Sequence, residues 1–234
     1  MTDIQQLSID IDAMLAVFNS CNPLSATGTF DMEAVKHCIM QLCDLVVKNT
    51  EERDALKQWM IEKSDFFKGP ASTRFHGNFE GGLAVHSLKV LHQALLFALP
   101  LFANYAVSPL KDSYSITAED IFIAAITHDF CKANTYKVEY RNSKDVFGNW
   151  KKTPYYKTIE ESRNLGHGNE SVLELLEIMP SFIHRRHVLE AISRHMGFSD
   201  LSDSEKYNYS NFLDNPLVVL IQLADQTASQ WYNL

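Results

Sequence analysis

The sequence predicts an all-α fold, a helical bundle with a short β-hairpin or extended insertion. Three observations carry this. Nearly every segment repeats its apolar residues at helical spacing. The exception, YKVEYRN (136–142) and WKKTPYYKTI (150–159), is rich in aromatic and β-branched residues and flanks a Gly148-Asn149 turn. Proline and glycine fall between the periodic segments, as breakers should.

Taken in order, residues 31–47 place Val35, Ile39, Leu42, Leu45 and Val46 on one helical face, and a second helix is expected over 51–66. GPASTRFHGNFEGG, 69–82, reads as a loop by its glycines and proline. Helix resumes with LAVHSLKVLHQALLFAL, where Leu83, Val90, Ala94 and Phe97 share a face and His86 falls near it. Thr117 can cap the next helix, with Glu119 and Asp120 in its first turn. Pro154 argues that the second arm of the 136–160 insertion is an edge or is broken. Helices follow at 167–179 and 182–196, separated by Pro180, and the last opens on an Asn215-Pro216 cap. The expected organisation is a helical segment over 1–68, packing on the bundle or joining copies in a homo-oligomer, and a main domain over 69–234.

A chain of 234 residues with 46% hydrophobic and 21% charged residues has the balance of a soluble globular protein. No window is read as approaching the ~18 continuous apolar residues of a membrane span, and the acidic N-terminus lacks the basic start of a secretory signal. Cys21, Cys38, Cys43 and Cys131 form no CxxC pair, so reduced thiols and a cytoplasmic location are expected, with Cys131 a packing residue. The net charge of -8 argues against a partner of extended nucleic acid and favours a small phosphorylated substrate held by local cations.

The chemistry concentrates in AAITHDFCK, 124–132, where an apolar helix ends on His128, Asp129 and Lys132. Asp225 follows eight nearly all-apolar residues, a costly place for an unpaired carboxylate. His86, His128, His167 and His195 each border apolar or glycine residues rather than polar runs. Singly, each such histidine is more often a packed core residue than a ligand. Together with Asp129 and Asp225 they form a nitrogen–oxygen set suited to first-row divalent ions. The six fall on five helices or helix ends, unlike the short spacings of a structural zinc finger and as in a site inside a helical bundle.

In this order, His86 … His128-Asp129 … Asp225 resembles the signature of the HD superfamily of metal-dependent phosphohydrolases, with GGLAVHSLKV and LAD as similar neighbours, over about residues 70–230. The HDxxK run from His128 to Lys132 resembles the branch of HD-GYP cyclic-dinucleotide phosphodiesterases and HD-type 3′-to-5′ exoribonucleases. The resemblance implies an HD-domain bundle in which His86, His128, Asp129 and Asp225 hold one ion. It also implies that Asp129 bridges to a second held by His167 and His195, while Lys132 meets substrate phosphate. Departures are evident: no GYP motif follows, Arg194 stands where the cyclic-dinucleotide enzymes have a second histidine, no oligonucleotide-binding barrel precedes the domain, and the 136–160 insertion fits neither pattern.

The expected function is hydrolysis of a phosphoester of a nucleotide or similar small substrate. One or two divalent ions (Mn, Fe, Co, Ni, Mg or Zn) would supply the water nucleophile, and Asp129 and Lys132 would act as catalytic residues. Alternatives are a phosphodiesterase or exonuclease on short oligonucleotides or cyclic dinucleotides, and a non-catalytic metal- and nucleotide-binding sensor. Arg74, His76, Tyr136, Lys137 and Arg141 are candidate substrate contacts through charge and stacking. His37, His92, His184 and His187 are set aside, the last two because flanking arginines mark a solvated face.

Overall fold

The computed structural model describes residues 2–24, 30–159 and 165–234; residue 160 of the expected insertion lies outside them. It is mostly helical with one two-stranded antiparallel sheet. In chain order the helices are α1 (Ile4–Cys21), α2 (Met32–Val46), α3 (Thr50–Gln58), α4 (Gly82–Tyr105) and α5 (Ala118–Thr127), followed by α6 (His167–Ile178), α7 (Arg186–Ser193), α8 (Asp203–Tyr207), α9 (Tyr209–Phe212) and α10 (Pro216–Tyr232). The strands β1 (Tyr136–Lys144) and β2 (Trp150–Thr158) lie between α5 and α6.

Caps explain most starts. Asp3, Asp31, Asn49 and Asn215 accept hydrogen bonds from the first free backbone N–H groups of α1, α2, α3 and α10. Thr117 and Asp120 form a reciprocal capping box at α5. Helix α1, expected only as part of a helical segment over 1–68, buries Leu7, Ile11, Met14 and Phe18, a 3- and 4-residue spacing that makes one apolar stripe.

Helix α4 is the central element, packed against α10, α5 and α1. By length and composition α4 could cross a membrane, which corrects the expectation that no stretch comes near that limit; 78% of its most apolar window is buried inside the protein. The apolar residues surround the helix because neighbours cover it on several sides. All ten residues of α5 are buried, and its seven apolar residues join the same core.

Two boundaries and one buried position differ from expectation. The helix expected over 51–66 changes at Trp59 into a wider π turn, Trp59–Lys63, and then ends. The span 182–196 divides into a 3₁₀ turn, Pro180–His184, and α7, which the Arg185 backbone separates by leaving helical angles. Leu45, placed on the apolar face of α2, is 48% exposed, because the buried stripe there runs through Leu42, Cys43 and Val46.

At the other end of the core, Arg185 ties α7 to α5. Its guanidinium lies 2.8 Å from Glu119 and 3.1 Å from Asp120, and His187 Nε2 lies 3.2 Å from the same Asp120 oxygen. Burial opposes ionisation of Asp120, but His187 and Thr117 outweigh it and hold the carboxyl below its ordinary range. His92 packs its ring against Phe18.

The hairpin pairs Tyr136 with Thr158 through to Lys144 with Trp150, with Pro154 opposite Tyr140. Pro154 does not interrupt β2, because in a two-stranded sheet each strand has a free side on which no N–H is needed.

Candidate metal centre

Five separate elements deliver the six His and Asp side chains. His86 stands on the second turn of α4, whose start is fixed by backbone contact: a Cβ on Gly82 would come within 2.0 Å of the Gly77 carbonyl oxygen, so only glycine fits. His128 and Asp129 end α5 and lead into a 3₁₀ turn, Phe130–Lys132. His167 is the first residue of α6, His195 follows α7, and Asp225 lies midway along α10. Gly168 lets α6 approach α7, since a Cβ there would meet the Ser193 carbonyl oxygen at 2.4 Å.

Three of the histidines are aimed by main-chain oxygens. Nδ1 lies 2.8 Å from the Leu234 oxygen in His86, 2.8 Å from the Ala125 oxygen in His128 and 2.7 Å from the Ile192 oxygen in His195. A main-chain oxygen only accepts, so each Nδ1 donates, and in the neutral ring the lone pair is left on Nε2. All three Nε2 atoms point into one buried cluster.

Asp129 stands between two halves of that cluster. Its Oδ2 is 3.3 Å from His86 Nε2 and 3.3 Å from His128 Nε2. Its Oδ1 is 3.1 Å from His167 Nε2 and 3.5 Å from His195 Nε2. Asp225 Oδ1 closes the first half, 3.3 Å from His86 Nε2 and 4.0 Å from His128 Nε2. Lys132 Nζ sits 2.6 Å from Asp129 Oδ2, within the buried interior.

The charge balance follows from this packing. Burial opposes charge on His86, but the carboxylates of Asp129 and Asp225 outweigh it and raise its pKa to about 9. Burial also opposes charge on His167, and hydrogen bonding to Asp129 and Cys131 raises it to about 10. Burial would favour neutral Asp129 and Asp225, yet Lys132 and the histidines hold Asp129 well below its usual range, and His86 does so for Asp225. His128 is pushed down, chiefly by burial.

These residues fit a metal. His86 and His128 bring their Nε2 atoms to 3.1 Å, a contact that requires a shared proton unless a cation lies between the lone pairs. His195 Nε2 is buried with no hydrogen-bond partner. Three groups, His86–His128–Asp129, His128–His195–Asp225 and Asp129–Cys131–His167, each hold their ligating atoms within 4.8 Å of one another. The third adds a residue that sequence reading assigned to packing. The Cys131 backbone N–H donates to Ser171 Oγ on α6, which brings its thiol beside His167. Its place in AAITHDFCK, two residues past Asp129, was the available signal.

Of the candidate substrate contacts, His76 and Tyr136 come nearest. The His76 ring centroid is 4.8 Å from that of His86, and its Nε2 is buried without a hydrogen-bond partner. Burial, His86 and Lys132 together lower its pKa to about 4, so it is neutral at pH 7. Tyr136, half-buried, lies close enough to Lys132 and Asp129 to feel both charges. Arg74 and Arg141 line a neighbouring groove. Lys137 is not brought to the cluster; on the opposite hairpin face from Tyr136, its ammonium pairs with Glu139 at 3.2 Å. His187 serves the Asp120 cluster and His184 is exposed. No family model, curated protein or solved structure matches the chain.

Proposed function

We propose that this protein is a divalent-metal-dependent phosphohydrolase of the HD type, acting on a phosphoester of a nucleotide or similar small substrate. The observation that carries the reading is the position of Asp129, whose two oxygens face two different sets of imidazoles. In this reading His86, His128, Asp129 and Asp225 hold one ion, and Asp129, His167 and His195 hold a second, with Cys131 adjacent. Bound ions in such a site supply an acidified water and neutralise phosphoryl oxygens.

The chain's own groups do the rest. The cluster is lined by packed side chains, and the low-dielectric surroundings strengthen each charge contact. Lys132, charged because Asp129 outweighs the cost of burying it, stands where phosphate charge would gather. Neutral His76 offers a ring nitrogen to a phosphate or leaving-group oxygen from the side of His86. Tyr136 stands near enough to Lys132 and Asp129 to feel both charges.

The test is hydrolysis of a panel of nucleoside mono- and triphosphates, cyclic dinucleotides and short oligonucleotides in Mn²⁺, with His128→Ala and Asp129→Ala beside wild type. Turnover of one class that disappears in both variants and on chelation is expected. Metal-loaded wild type that binds nucleotide and returns it unchanged would replace the reading with a sensor. Wild type that binds no divalent ion would end it.

A further inference from the structure

The hairpin is electrostatically unlike the rest of the chain. Between Tyr136 and Thr158 stand six cations and two acids, in a protein of net charge -8. The same span carries Tyr136, Tyr140, Phe147, Trp150, Tyr155 and Tyr156. Strand alternation sorts these side chains by face. Tyr136, Tyr140, Trp150 and Tyr156 share one face, and Lys137, Arg141, Lys151 and Lys157 share the other.

Along β2 runs a groove of about 1220 Å³, closed on its far side by the loop residues Thr73, Arg74 and Asn78. Five consecutive strand residues, Pro154 to Thr158, line it, and Arg141 reaches over the Tyr155 ring at its wall. Its volume exceeds the ~300–1,000 Å³ usual for a small-ligand pocket. Both walls are continued along the chain by residues at the metal cluster. The loop places His76 against His86 two residues after Arg74, and the hairpin begins at Tyr136 beside Lys132. The loop is held in shape by its own bonds, Asn78 Nδ2 donating to the Thr73 carbonyl and Ser72 Oγ to that of His76.

We propose that this groove binds a short single-stranded oligonucleotide and leads its terminal phosphoester to the His/Asp cluster. Cations spaced along a channel meet successive phosphates, and the Tyr155 and Tyr156 rings in its wall offer faces that stack bases without regard to sequence. The inference deepens the phosphohydrolase reading and rests on it for the direction of the strand. It departs from the expectation drawn from net charge, because a local basic groove coexists with an acidic surface. The exposed Val146, Phe147 and Trp150 at the hairpin tip, beside Lys144, Lys151 and Lys152, could instead meet an anionic membrane. The groove is preferred because it is concave, and because Arg74, Arg141 and Lys157 line it away from the tip.

The test is fluorescence anisotropy of the full chain with a labelled, cleavage-resistant phosphorothioate oligo-dT 8-mer at 50 and 200 mM salt, alongside flotation with phosphatidylserine vesicles. Wild type is expected to bind the single strand and to weaken steeply with salt. The triple variant Arg74→Gln/Arg141→Gln/Lys157→Gln should lose about tenfold or more in affinity and flatten the salt slope by about 2, at about 0.7 per lost phosphate contact on a single strand. Lys151→Gln/Lys152→Gln, outside the groove, should stay within about threefold of wild type. Arg74 and Arg141 are exposed, and the single variants Arg74→Gln and Arg141→Gln should each show part of the loss if the triple variant folds poorly.

Absence of oligonucleotide binding overturns the proposal, as does vesicle binding alone, an unchanged triple variant or an equal loss in the tip variant. Metal content, measured on the same samples, separates the two readings. Oligonucleotide held in the groove by a protein that takes up no metal sinks the phosphohydrolase and keeps the groove. Turnover of mononucleotides without oligonucleotide binding does the reverse.

Discussion

The His/Asp cluster and the hairpin next to it handle polar groups in opposite ways. In the cluster, His86, His128, Asp129 and His195 are buried at 2% exposure or less, and every ring is aimed by a hydrogen bond or an ion pair. In the hairpin the lysines and arginine stand in water, the tyrosines are half-buried at most, and their bonds are local, such as Tyr155 to Glu139 and Arg141 over Tyr155. Burial makes each cluster contact strong and each error costly; exposure makes each hairpin contact weak and replaceable. Fixed geometry suits the chemistry proposed for the cluster, and adaptable contact suits the strand proposed for the groove.

The contrast breaks most readily at Asp129. Asp129→Ala removes the carboxylate shared by both halves and leaves Lys132 buried without its counter-ion, so divalent-metal affinity should fall by more than about 100-fold. Metal analysis after dialysis checks this, and wild-type metal content in the variant would show that the two halves are independent of Asp129.

The effect of pH is comparable for each unit of pH. His86 and His167 hold protons up to about 9 and about 10 in the metal-free cluster, and an ion must displace them. Metal affinity should therefore rise between pH 6 and 9, by about tenfold per unit for each proton displaced. For the metal-free protein the sign is opposite. Both folded pKa values lie above the unfolded value, so their contribution is complete below about pH 6.5 and lost as pH rises through about 9 to 10. Thermal melts with and without chelator across this range should cross in trend, and parallel melts would refute the assignment.

A smaller effect is expected from Arg185→Ala, which strips the buried Glu119 and Asp120 of their guanidinium and should cost about 2 kcal/mol of stability. Urea denaturation measures it. Smallest of all, Phe147→Ser at the hairpin tip touches an 86% exposed ring and should change stability by no more than about 0.5 kcal/mol. A larger loss there would show that the hairpin packs on the body more firmly than its exposure implies.

Much of this arrangement is legible in the chain itself. Apolar spacing locates α2, α4, α5 and α10, because a core helix must repeat its stripe whatever it packs against. The six His and Asp residues stand out because polar groups in apolar surroundings need a partner. Cys131 is not legible in that way, since a thiol at a buried helix end satisfies packing and ligation alike. Neither is the π turn at Trp59, which depends on tertiary contact, nor the exposure of Leu45 at the last turn of α2. The groove is legible only in part: Arg74 and Arg141 stand out as candidate contacts, but they are 67 positions apart, and nothing in the chain order says that they line one groove.

Three imidazoles take their bearings from the oxygens of Leu234, Ala125 and Ile192. Main-chain oxygens are common to every amino acid, so that alignment does not depend on which side chains those three residues carry. Substitutions around the cluster can therefore change its polarity, its size and its access without turning the rings away. The chain has room to vary what the site accepts while the winding of α5 and α7 and the seat of Leu234 keep the direction in which it acts.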